Sequence, residues 1–166
     1  MSYDLHPIPQ PYEVIKKERN DATGAYMMMF ITLSVGLPLP FINLLASWIY
    51  WLINKSKVPF VRFHMLQSLY SQLIITVVNM GAVFYFVRMF IFGLGNGSYL
   101  EILTIIIFVG VANLIYFIMS IIGATKANKG QMYYFPIIGS MSYQQAFKKS
   151  FQDDDRSIAN YRRDHE

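Results

Sequence analysis

The side chains able to do chemistry are few and scattered. Histidines stand at positions 6, 64 and 165, a spacing that fits neither an HxxxH nor an HExxH arrangement on one helix face. There is no cysteine, which excludes disulfide frameworks, thiol nucleophiles, iron–sulfur ligation and cysteine zinc sites. The sequence holds no GxxxxGK[ST] phosphate loop, no GxSxG nucleophile turn and no GxGxxG dinucleotide loop. No catalytic residue, cofactor or metal set is expected from these residues.

What remains is a polar set inside apolar sequence. His64, Gln67, Ser68, Ser71, Gln72, Thr76 and Asn79 fall within one half of a helix at 100° per residue, with Leu66, Leu69, Tyr70, Leu73, Val77 and Met80 in the other. Such a split predicts one face for lipid and one for protein or water. The polar face serves either as interhelical hydrogen bonding or as a conduit for a solute, ion or polypeptide. Asn43, Asn79 and Asn113 lie near the midpoints of three apolar blocks. An amide in lipid needs partners, so mutual contact among the three is expected. Ser47 follows Asn43 by one helical turn, and Asn113, Tyr116 and Ser120 share an arc with Ala112, Gly123, Ala124 and Ala127. His64, at the end of its block, reads as a boundary histidine that reaches headgroups or caps neighbours, with a pH switch as the alternative.

The elements that must carry these residues follow from composition. Hydrophobic residues make up 54% of the 166-residue chain and charged residues 14%, against roughly 45–50% and about 25% in a soluble domain. The apolar residues come in long blocks, without the alternation of one-sided burial, so an all-α integral membrane protein is the expected fold class. Residues 1–25 are polar, with Pro7, Pro9 and Pro11, and read as an extended lead-in followed by a short surface helix. They do not read as a secretory signal, which needs a basic region directly before an apolar core. A membrane domain is expected over 26–125, with hydrophobic segments at 26–53, 63–92 and 99–125, followed by a basic and aromatic tail at 126–166.

The first segment, Tyr26 to Ile53, holds 28 residues without a formal charge. As one helix it would measure about 42 Å, against a hydrocarbon core of about 30 Å. Pro38 and Pro40 at its centre remove two helical hydrogen bonds and push the preceding residues out of the α region. A backbone break is expected there, as a re-entrant hairpin or a kinked helix. The other two segments are joined by the short, glycine-rich stretch 93–98 and read as an antiparallel transmembrane helix pair.

Lysine and arginine set the orientation. Lys16, Lys17 and Arg19 precede the first segment, Lys55, Lys57 and Arg62 follow it, Lys126 and Lys129 open the tail, and 93–98 carries none. A hairpin at Pro38 and Pro40 places every basic cluster, the C-terminal tail included, on the cytoplasmic side. Lys55, Lys57, Arg62, Lys126 and Lys129 are the expected interface anchors there, while Arg88 snorkels to the opposite interface with Glu101 as its partner. The net charge of +4 suits anionic lipid headgroups. Nucleic acid is not an expected partner.

Three stretches carry a resemblance: residues 36–56 (GLPLPFINLLASWIYWLINKS), 59–73 (PFVRFHMLQSLYSQL) and 124–136 (ATKANKGQMYYFP). In this order they resemble a family of small bacterial multi-pass membrane proteins of unknown function. That family is distantly similar to the twenty-kilodalton inner-envelope subunit of the chloroplast protein-import translocon. The resemblance covers about residues 26–136 and implies a helical protein of a bacterial inner membrane, with a role in polypeptide transport or assembly. The function expected is that of a non-enzymatic subunit or scaffold of a membrane complex, concerned with protein translocation or assembly. Its partners would be the lipid bilayer and other membrane proteins or copies of itself. The competing expectation is a small homo-oligomeric channel or transporter that uses the Gln67, Gln72 and Asn79 face.

Overall fold

The computed structural model describes residues 8–28, 40–53, 58–92 and 99–148. Among these residues the secondary structure is entirely helical, in five elements: α1 (Lys16–Met27), α2 (Pro40–Ile53), α3 (Pro59–Phe92), α4 (Tyr99–Asn128) and α5 (138–148). Helices α3 and α4 are long and apolar enough to cross a membrane. They pack side by side and antiparallel, with Asn79 opposite Asn113 and, nearer the start of α3, Gln72 by Ser120 and Tyr116. The expected integral, all-helical architecture is present.

Length decides what each helix does. The 34 residues of α3 span about 51 Å and the 30 of α4 about 45 Å, whereas a crossing needs about 20 residues. The surplus is at the end where α3 begins and α4 finishes, and there, in a packed cap, α3 is enclosed on nearly every side and α4 on one face. Phe60, Val61, Phe63, Met65 and Leu66 are buried, as are Gly123, Ala124 and Ala127 on α4. Beyond this cap the same helices turn apolar side chains outward, among them Leu73, Val77, Val83, Ile107, Leu114 and Ile118.

Helix α1 covers one side of the cap. The expectation of a surface helix ending before the first membrane segment is corrected here, because α1 runs through Tyr26 and buries Ala22, Ala25 and Tyr26. These three positions share one face at i, i+3 and i+4, and Tyr26 lies against Gly123, where a Cβ would come within 2.8 Å of its ring. Helix α5 covers another side. It buries Tyr143, Ala146 and Phe147 against Phe63 and Leu66, so Leu66, expected on the lipid-facing half, faces protein instead.

Helix α2 begins at Pro40, where a proline is tolerated because its missing N–H has no intrahelical partner. It lies along α3, with Leu44, Leu45 and Trp48 facing Leu69, Tyr70 and Leu73 across an apolar groove. Its other end returns to the cap, where the Tyr50 hydroxyl donates to the Asp21 carbonyl of α1 at 3.0 Å. The chain therefore leaves α1 and comes back to it on the same side of the molecule. The expected bend at Pro38 lies outside the described residues, as do Lys55, Lys57 and the 93–98 connection.

Helix α4 ends in a left-handed glycine cap. Gly130 has φ 73°, its N–H donates to Ala127 O at 2.9 Å, and the Gln131 N–H donates to Lys126 O at 2.9 Å. That pair of bonds satisfies carbonyls the helix would leave open and turns the chain back along α3 and α4 as the non-helical stretch 131–135.

Candidate functional site

The expected polar face of α3 is where the three parts of the cap are joined. His64 and Gln67 are fully buried at 0% exposure, and Ser68 and Gln72 nearly so. Gln67 has the amide geometry of a peptide bond, and it is used as one. Its Nε2 donates to the Tyr133 carbonyl at 2.8 Å and to the Tyr26 hydroxyl at 3.0 Å, and its Oε1 accepts from the Phe135 N–H at 3.1 Å. A non-helical stretch thus finds for a buried N–H and a part-buried C=O the partners that a neighbouring strand would supply, which buried backbone requires.

The Tyr26 hydroxyl, which accepts the Gln67 hydrogen bond, lies 2.9 Å from His64 Nδ1. Three aromatic rings, those of Tyr26, Phe60 and Phe63, meet the His64 imidazole edge to face. His64 therefore sits inside the cap against its neighbours and does not reach headgroups, the first of the two boundary roles expected for it. Burial holds the Tyr26 phenol well above its ordinary range, with the Gln67 bond opposing this more weakly, so it remains a protonated donor. Beside it the Ser68 hydroxyl donates to the Ala25 carbonyl at 2.7 Å, one of the open carbonyls at the end of α1.

Farther along α3 the polar side chains tie it to α4. Gln72 and Thr76 are buried, and the Tyr116 hydroxyl faces Gln72 and Ser120. Asn79 and Asn113 form a reciprocal amide pair, each Nδ2 donating to the other's Oδ1 at 3.1 and 2.7 Å. Two members of the expected asparagine trio are thereby joined; the Asn43 side chain lies outside the described ones. Ser71 donates within its own helix, to Ser68 O at 2.8 Å, and stands apart from the pair.

The expected interface anchors divide in the same way. Arg62 donates from Nη2 to the Gln145 carbonyl of α5 at 3.3 Å, and the Tyr70 hydroxyl donates to the Gln145 side chain. Lys126 donates to Gln131 Oε1 at 3.1 Å. Both cations thus tie the C-terminal segment to a span, while Lys129 and Arg88 are exposed.

Residues missed from sequence are Tyr26, Tyr133 and Phe135. The last two contribute backbone atoms, which composition does not display; the signal for Tyr26 is its i, i+3, i+4 spacing with Ala22 and Ala25. Among the described residues no group of three or more histidine, aspartate or glutamate side chains is placed to hold a metal ion.

This seam can bind helices to one another and to a returning non-helical stretch, and its donors and acceptors are satisfied within the protein except at His64 Nε2 and Gln72 Oε1, which are buried without a hydrogen-bond partner among the described residues. No curated protein and no solved structure matches the chain. The expected link to an import translocon therefore has no counterpart in these comparisons. A family model does match, over residues 21–142, a range that contains the buried face of α1, both spans and the start of α5. By that match, the chain belongs to the magnetosome magnetite crystal formation protein family.

Proposed function

We propose that this protein is a non-enzymatic structural subunit of a magnetosome-type membrane, where it organises the bilayer and its protein neighbours around a forming crystal. The observation that carries this reading is the closed state of the seam. His64, Gln67, Ser68 and Gln72 have between 0% and 2% of their surface exposed, and the amides of Gln67, Asn79 and Asn113 are engaged inside the chain. A conduit needs polar groups that a solute can reach, so the same side chains speak for packing. The apolar outer faces of α3 and α4 remain available to lipid and to other membrane helices. The family name supports the crystal-forming compartment as the setting.

The test is complementation of a magnetite-forming strain that lacks its own member of this family, with crystal dimensions read by electron microscopy. Restored crystal size with membrane-inserted protein supports the proposal; inserted protein without any change in crystals overturns it. Purified protein in sealed vesicles is expected to pass neither protons nor metal ions, and a protein-dependent flux would replace the structural reading with the channel one.

A further inference from the structure

The turn that follows the 131–135 stretch has a backbone conformation that its side chain disfavours. Ile137 has φ 70°, a region that a β-branched residue rarely occupies, and its side chain is 86% exposed. Such an outlier persists only where the surroundings hold it. Here the Ile138 N–H donates to Pro136 O at 2.8 Å, the Gly139 N–H donates to Phe135 O at 2.9 Å, and the Ser140 hydroxyl donates to Ile137 O at 3.4 Å. Phe135 and Ile138 are buried on either side. Gly139 closes the turn against Tyr134, leaving no room for a Cβ. The result is a firmly held projection with an isoleucine at its tip.

Its neighbourhood says what it projects into. Between Lys129 and Lys148 the sequence carries no formal charge, and Tyr134 and Met141 are exposed beside Ile137. Residues 135–138 form one end of an apolar groove of about 360 Å³, whose other walls include Ile74, Ile75 and Val78 of α3 and Ile115 and Met119 of α4. Those side chains belong to the stretch where the spans leave the cap and present apolar faces, so the turn is continuous with the lipid-facing belt. Most of its backbone is already bonded within the protein, as entry of a non-helical stretch toward the membrane requires: the Phe135, Ile138 and Gly139 N–H groups and the Tyr133, Phe135, Pro136 and Ile137 carbonyls have partners.

We propose that the 134–141 turn is a membrane wedge: Ile137, with Tyr134 and Met141, enters the headgroup–acyl boundary of the leaflet on the cap side and sets how deep the protein sits. The occupant of this surface is lipid, reached by the same apolar belt that surrounds the spans. This rests on α3 and α4 crossing the bilayer.

The absence of cysteine makes a depth measurement direct. Single variants Ile137→Cys, Met141→Cys, Leu114→Cys and Lys148→Cys would carry a nitroxide in vesicles of phosphatidylcholine and phosphatidylglycerol. Collision with oxygen would be compared with collision with a water-soluble nickel chelate. Labels at 137 and 141 are expected to follow the span label at 114, favouring oxygen, while 148 favours nickel. Nickel access at 137 and 141 equal to that at 148 overturns the proposal, as does shielding of both labels from both agents, which would mean a protein partner or a second copy covers the turn. A water-exposed label at 114 would instead overturn the spanning assignment, so the two failures are distinguishable. Using two positions in the turn guards against a single variant that fails to fold.

Discussion

At the scale of single residues, Gln67 does what no apolar side chain of its size can do. One amide group satisfies a buried N–H and a part-buried C=O of the 133–135 backbone and also holds the Tyr26 hydroxyl. Each buried polar group left unpaired costs about 1–3 kcal/mol. Gln67→Leu is therefore expected to destabilise the protein by about 2–6 kcal/mol, since two backbone groups lose their partner. The measurement is the melting temperature in mild detergent together with the rate of tryptic cleavage at Lys129, which is exposed at the base of the loosened stretch. Ser71→Ala is the control, with an expected effect within about 0.5 kcal/mol, because Ser71 bonds only within its own helix. An equal loss in both variants would show that Gln67 acts as filler. The polar face itself was legible from 100° periodicity, and the Asn79 and Asn113 contact from the need of an amide in lipid. The partners of Gln67 were not, since they are main-chain atoms of a stretch whose path depends on the glycine cap at Gly130.

At the scale of elements, the docking of α1 depends on one missing side chain. A Cβ on Gly123 would stand 2.8 and 2.9 Å from atoms of the Tyr26 ring and 3.0 Å from Phe135, and rigid rings confined on all sides have little room to give. Overpacking of this kind costs about 1–3 kcal/mol, so Gly123→Ala should lower the melting temperature. Gly81 and Gly110 are also helical, yet nothing lies within 4 Å of a Cβ at either position. Alanine is favoured over glycine in a helix by about 0.5–1 kcal/mol, so Gly81→Ala and Gly110→Ala should be neutral or stabilising. Parallel thermal scans of the three variants check the contrast, and a common direction for all three would contradict it. Here too the limits of sequence reading are physical. Apolar length revealed α3 and α4, whereas α1 is a polar helix whose buried face is two alanines and a tyrosine. Likewise, the burial of Leu66 is decided by α5, an element far away in sequence.

At the scale of the whole molecule, the spans are longer than a bilayer requires, and the surplus lies at one end. A helix hairpin inserted symmetrically would leave part of that surplus on each side; the packed cap, with α1, the returning end of α2 and α5 around it, requires that it all lie on one. Lys16, Lys17, Arg19, Arg62, Lys126, Lys129 and Lys148 belong to this end, and Arg88 lies toward the other. The lysine and arginine bias therefore predicts that the cap faces the cytosol and that the short end, near Phe92 and Tyr99, faces the opposite side of the membrane. This is testable with single cysteines in the naturally cysteine-free chain, placed by Ile8→Cys, Tyr99→Cys and Lys148→Cys at positions that are all exposed. In sealed vesicles isolated with their cytosolic face outward, a membrane-impermeant maleimide is expected to label 8 and 148 alike, and 99 only after detergent permeabilisation. If 8 and 148 fell on opposite sides, α1 and α5 could not share one cap, and both the Tyr26–Gln67–Phe135 seam and the structural role built on it would have to be abandoned together.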